Sequence, residues 1–145
     1  MNKLDEKTIQ TLIAAAYDAR KLSYSPYSHY QVGAALLTGD GQIVMGCNIE
    51  NAAYTPTNCA ERTAFFKAVS EGIRDFRAIA VVGSPESDGD VLTQYAYPCG
   101  VCRQVMMEFC EPEEFQVIVA KSLDDYRVMT LREILPEGFG PENLN

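Results

Sequence analysis

Cys59 and Glu61 stand two residues apart in the stretch Asn58-Cys59-Ala60-Glu61-Arg62, and Cys99 follows Cys59 by 40 residues in Pro98-Cys99-Gly100-Val101-Cys102. The pattern C-x-E … P-C-x-x-C supplies three thiols and a carboxyl. Three thiolates with one open position make a sensible catalytic zinc site. Cys99 and Cys102 are three apart, so both face one side of a helix's first turn. Cys59 also falls in a first turn, where the partial positive charge of a helix N-terminus lowers a thiol pKa and makes the thiolate available as a ligand. Glu61 points elsewhere around that helix but stays within a turn of a metal held by Cys59. That suits a carboxylate aimed at a metal-activated water: zinc brings the water's pKa towards neutrality and the carboxylate shuttles its proton.

Three thiolates on one zinc leave a net charge of −1, which weakens the acidity of the water. Arg62 is the obvious correction, because hydrogen bonds from its guanidinium to the thiolates would draw charge off. The competing reading is a closed zinc knot that only ties two helices together. It needs a fourth Cys or His; Cys47, Cys110 and His29 are the remaining ones. Cys47 and Cys110 read as small buried hydrophobes, and His29 as a surface loop residue.

At 145 residues the chain, 1–145, reads as one domain, able to bury a core without disulfides. Closely spaced cysteines then point to metal or catalysis. The formal charge of −8 argues against a polynucleotide partner, whose phosphates ask for a basic patch. The stretch Met1 to Glu6 lacks the apolar run of a signal peptide, and no stretch approaches the ~18 apolar residues that span a bilayer. The expected location is cytoplasmic.

The elements that must position the site follow from periodicity and punctuation. An amphipathic helix is expected over 5–22, with Asp5 as N-cap and Ile9, Leu12, Ile13, Ala16, Tyr17 and Leu22 on its apolar stripe. Strands over 30–37 and 42–49 flank Gly39-Asp40-Gly41, a hairpin signal that sets Tyr30 beside Asn48 and Glu50. A second helix begins at a Thr57 or Asn58 cap and stops at Gly72. Residues 76–82 read as a buried central strand and 83–90 as a surface loop. A helix starting just after Pro98 and running to about Phe109, strands over 115–120 and 126–129, and a short helix over 131–135 capped by Thr130 complete the order. Strands separated by helices predict an α/β fold with a partly parallel sheet, covered on both faces.

C-x-E with P-C-x-x-C is a zinc-deaminase signature, and the chain resembles the cytidine deaminase family of the small, three-cysteine type along nearly its whole length. Pro26-Tyr27-Ser28 leading into Val32-Gly33-Ala34-Ala35-Leu36-Leu37 carries the resemblance, as do Gly46-Cys47-Asn48-Ile49-Glu50-Asn51-Ala52-Ala53-Tyr54, the two cysteine segments, and Leu135-Pro136 with Phe139. The resemblance implies a three-layer α/β/α fold around a mixed, mostly five-stranded sheet. It implies one Zn2+ per chain on Cys59, Cys99 and Cys102, with Glu61 as proton shuttle. Asn48 and Glu50 would bond the ribose, chiefly its 3′-hydroxyl; Tyr30 would stack near the pyrimidine and the Ala60 backbone would contact the base. It further implies a homotetramer in which Phe139 and Tyr54 reach a neighbour's site, and a role in pyrimidine salvage. Three departures stand out: Tyr30 where the family more often has Phe, Tyr97 where it often has Ser, and Val101 where it has Ala. The segment from Ser84 to Tyr97 receives no role. The rival functions are a related deaminase acting on an aminonucleoside antibiotic and a non-catalytic zinc-stabilised module. On the residues alone, Asn48 and Glu50 also read as ordinary hairpin-end polar groups, Tyr30 as core and Phe139 as a local anchor.

Overall fold

Asp5 opens the first helix by accepting a hydrogen bond from the Thr8 N–H at 2.8 Å, in a computed structural model that describes residues 3–144. Met1, Asn2 and Asn145, the ends of the leader and tail readings, lie outside the described residues. Helix α1 (Glu6–Arg20) buries Ile9, Leu12, Ile13 and Ala16. It stops two residues short of the expected Leu22, which is 75% exposed rather than part of the stripe. The reason lies far off in sequence. The Tyr24 N–H donates to the Asn48 carbonyl, and the Glu50 N–H to the Tyr24 carbonyl. That pairing draws the chain out of the helix before Ser25-Pro26 is reached.

Strands β1 (Tyr30–Thr38) and β2 (Ile43–Cys47) form the expected antiparallel hairpin. β2 ends before Ile49, which leaves the ladder to bridge Tyr24 and Asn58. Strand β3 (Phe76–Pro85) runs past Val82, because Gly83, Ser84 and Pro85 pair with Val32, Gln31 and Tyr30. The expected 83–90 loop therefore shrinks to a segment that begins with the 3-10 turn Glu86–Asp88. β4 (Gln116–Ala120) lies parallel to β3, and β5 (Tyr126–Thr130) antiparallel to β4. The sheet is mixed and five-stranded, in the order β2-β1-β3-β4-β5.

Alternation along the central strands builds the layers. Ala34, Leu36, Ile79, Val81 and Val117 face a core shared with α2 (Ala60–Ser70), α3 (Gly100–Phe109) and α4 (Leu131–Ile134). Ala35, Leu37, Ala80, Val82 and Ile118 face α1. Strands buried on both faces are near-continuously apolar, which explains the run Ile79-Ala80-Val81-Val82. The result is the three-layer α/β/α architecture. Thr130 caps α4 with a reciprocal bond to Glu133, the expected cap.

α2 seats so close on β2 that Gly46 has no room for a side chain. A Cβ there would stand 2.5 Å from the Ala60 carbonyl oxygen and from the Ala64 nitrogen. Both contacts are backbone, so the helix would have to move. Gly46→Ala is expected to destabilise the fold by at least about 2 kcal/mol in urea unfolding. Because the helix start carries Cys59 and Glu61, the same variant should also retain less metal.

Candidate active site

The cysteine segments sit where two helices begin. Cys59 is itself the N-cap of α2, with extended φ −75 and ψ 156. The expected caps, Thr57 and Asn58, do not serve. Asn58 is held extended by backbone bonds in both directions with Ile49, at 3.0 and 2.9 Å, and its side chain donates to Thr63. Cys99 caps α3 in the same way, with φ −70 and ψ 169. Neither sulfur is used as a cap acceptor. Arg103 braces the second segment: its Nε donates to the Pro98 carbonyl at 2.7 Å and its Nη1 to the Ile134 carbonyl at 2.5 Å.

The fold brings Cys59, Cys99 and Cys102 together, with their sulfurs all within 4.8 Å of one another. Cys59 Sγ is 3.8 Å from Cys99 Sγ, which is 3.6 Å from Cys102 Sγ. A tetrahedral zinc with Zn–S bonds of about 2.3 Å sets its sulfurs about 3.8 Å apart, so the three fit the ion as they stand. The thiol chemistry agrees. Hydrogen bonds from Cys102 and Arg62 pull the Cys59 thiol down to about 5, while its bond to Cys59 and its burial push Cys102 upwards. One negative charge is easily held here; two more require a cation. Arg62 supplies part of that, its Nη2 donating to Cys59 Sγ at 3.2 Å, while its buried Nε has no partner among the described residues.

Glu61 is 4% exposed. Burial pushes its carboxyl up to about 7, and the Cys59 charge adds to this against the opposing pull of its own N–H and of Arg62. A carboxyl poised near neutrality can both take and give a proton.

A cleft of about 350 Å³ opens over these groups, within the range of small-ligand sites. Tyr30, Asn48, Glu50 and Ala60 line it together with Cys59, Glu61 and Cys99. Asn48 is a bracket as well as a wall: its Nδ2 donates to the Tyr30 carbonyl at 2.8 Å and its Oδ1 accepts from the Val32 N–H at 2.9 Å. Glu50 is a similar brace. Burial would raise its carboxyl, but bonds from the Ser28 hydroxyl and the Ser28 and Tyr27 N–H groups hold it below the usual range. Tyr54 lines an adjoining hollow with Tyr27, Ser28, Glu50 and Thr57, and Phe139 stands outside the cleft, 56% exposed. Tyr95, Ala96 and Tyr97 complete the walls. They come from the segment that sequence reasoning left without a role; the two tyrosines just ahead of Pro98 were the available signal. Cys47 and Cys110 are half-buried, and His29 is exposed.

The family model for the cytidine and deoxycytidylate deaminase zinc-binding region matches residues 6–119, a span that includes Cys59, Glu61, Cys99 and Cys102. The chain belongs to that family. It is 49% identical over 137 residues to the cytidine deaminase of Sporosarcina psychrophila, covering 94% of this chain and 95% of that one. It is equally identical over 136 residues to the cytidine deaminase of Halalkalibacterium halodurans, covering 94% and 97%. Among solved structures, the cytidine deaminase from Burkholderia pseudomallei superposes with a TM-score of 0.79 at 46% identity, covering 89% of this chain and 97% of the other. This is a zinc-binding deaminase domain, and its Cys59–Cys99–Cys102 cluster is able to hold the ion.

Two measurements check the site. Metal analysis of the purified protein is expected to give one zinc per chain, and Cys99→Ser to reduce it severalfold. Arg62→Gln removes a cation that holds the Glu61 carboxyl down. The acidic limb of the kcat/KM profile should therefore move to higher pH, read from turnover across a pH series.

Proposed function

We propose that the chain catalyses hydrolytic deamination of cytidine and 2′-deoxycytidine, giving the uridine products and ammonia. The observation that carries this reading is Glu61, buried beside the three sulfurs at the base of a cleft that also presents Asn48 and Glu50. Held on Cys59, Cys99 and Cys102, zinc supplies Lewis-acid activation of the attacking water. The remaining work is done by side chains. Glu61 takes a proton from that water and passes it to N3 of the ring. The water oxygen bonds to C4; Glu61 then takes the remaining proton from the new C4 hydroxyl and gives it to the amino group, the C4–N bond breaks as the C4 carbonyl forms, and ammonia leaves. A carboxyl held near neutrality serves both transfers. The walls exclude bulk water and favour the tetrahedral species over the flat substrate. Tyr30 stacks on the pyrimidine and the Ala60 backbone meets the base. Asn48 and Glu50, already fixed by backbone bonds, present their remaining hydrogen-bonding capacity to the ribose, chiefly its 3′-hydroxyl.

The same reading makes residues 1–145 one catalytic domain of a cytoplasmic homotetramer serving pyrimidine salvage. The exposed rings of Tyr54 and Phe139 support the assembly, since each leaves apolar surface that a neighbouring subunit would cover. Among the described residues no helix is long and apolar enough to cross a membrane.

Loss of cytosine absorbance on incubation with cytidine tests the function, with an aminonucleoside antibiotic as the competing substrate. Glu61→Gln should keep its zinc and lose about 10³-fold or more in kcat. A wild type that holds zinc and leaves both substrates unchanged would point to the non-catalytic module instead.

A further inference from the structure

Arg20 is a charged side chain with 3% of its surface exposed, and among the described residues it makes no salt bridge. Burying a cation costs several kcal/mol unless acceptors surround it. Here they do. Nε donates to the Gln31 carbonyl at 3.1 Å, Nη1 to the Gly89 carbonyl at 2.7 Å, and Nη2 to the Ser84 and Pro85 carbonyls at 3.2 and 3.3 Å and to Ser84 Oγ at 3.5 Å. One guanidinium thus joins the end of α1 to β1, to the end of β3 and to the segment leading to the Cys99–Cys102 pair.

That segment crosses the end of the sheet as a strap. It leaves β3 at Pro85 and turns at Gly89, whose φ of +62 and ψ of −128 lie in a region that only glycine readily adopts. Leu92, 6% exposed, plugs into the core on the α1 side. Gln94 Oε1 accepts from the Tyr30 hydroxyl at 2.7 Å. Tyr95, Ala96 and Tyr97 then wall the cleft, and the Tyr97 hydroxyl accepts from Arg127 at 2.8 Å. The strap's far end touches the reacting volume, and its near end hangs on Arg20.

We propose that Arg20 is a positioning residue for the substrate: it fixes the strap at Gly89, and through it the cleft wall formed by Tyr95, Ala96 and Tyr97. Arg20 touches no part of the cleft itself and acts only through the backbone it holds. A loosened wall weakens binding of the nucleoside while the sulfur cluster and Glu61, seated on α2 and α3, stay in place. The expected signature is a rise in KM with kcat and metal content preserved.

The activity arm of the test rests on the deaminase reading; the exchange arm does not. In Arg20→Gln, KM for cytidine should rise about tenfold, with kcat within about twofold and zinc per chain unchanged. Amides of 89–97 should exchange with deuterium faster, and those of 33–38 and 76–82, held by the β1–β3 ladder away from the Arg20 guanidinium, at the wild-type rate. Arg20→Lys, which keeps the charge and fewer donors, should recover part of the KM. Gly89→Ala disturbs the strap from the surface, since among the described residues no atom beyond its chain neighbours lies within 4 Å of the added Cβ and only the backbone is strained; it should show the same split even if Arg20→Gln fails to fold. An unchanged KM in a folded variant would overturn the proposal. So would loss of kcat and zinc together, or faster exchange spread over the whole chain. If the wild type leaves cytidine untouched, the deaminase reading fails, and the exchange pattern alone decides whether Arg20 holds the strap.

Discussion

Three sulfurs within 4.8 Å of one another cannot all carry charge without help, and the rest of the structure answers to that constraint. Two helices are aimed so that their positive ends fall on the same spot, with Cys59 and Cys99 as the caps. Arg62 adds a formal cation against Cys59. What these groups leave uncompensated is the charge that a bound divalent ion completes. The carboxyl of Glu61 is drawn into the same field, and its burial only one turn from the sulfurs gives it a proton affinity useful near neutrality.

The sheet supplies the stiffness that such a concentration of charge demands. α2 rests on β2 with backbone against Gly46, so Cys59 and Glu61 are located by main-chain contact rather than by long side chains. Arg103 does the equivalent for α3, tying Pro98 to the last turn of α4. On the opposite wall, Asn48 and Glu50 are fastened to the β1 entry before any ligand arrives. A pocket so held loses little conformational entropy on binding.

Much of this was legible in the chain because its signals are local. The cysteine spacing, the neighbouring Glu61, Pro98 and the alternation of apolar runs each report on a few adjacent residues, and they placed the cysteine cluster and the layer order. The misses share a cause of another kind. Leu22 fell outside its helix because Tyr24 pairs with Asn48. Asn58 lost the cap because Ile49 claims its backbone. β3 outran its apolar run because Pro85 finds a partner in Tyr30. Arg20, in a last helical turn, looks like any solvated cation beside Lys21. Only the return of β3 and the strap over α1 buries it. Contacts distant in sequence overrode local preference in every case.

The five strands are unequally protected, and that has a consequence for how the molecule breathes. β1 and β3 are covered on both faces, whereas β5 is an outer strand whose Arg127 and Val128 are open to solvent. Local opening should therefore begin at β5 and spread inward, with the β1–β3 pair last to let go. The floor of the cleft is founded on that last pair and on the helices against it, so fraying at the outer margin reaches the pocket only through the one wall that leans on Arg127, at Tyr97.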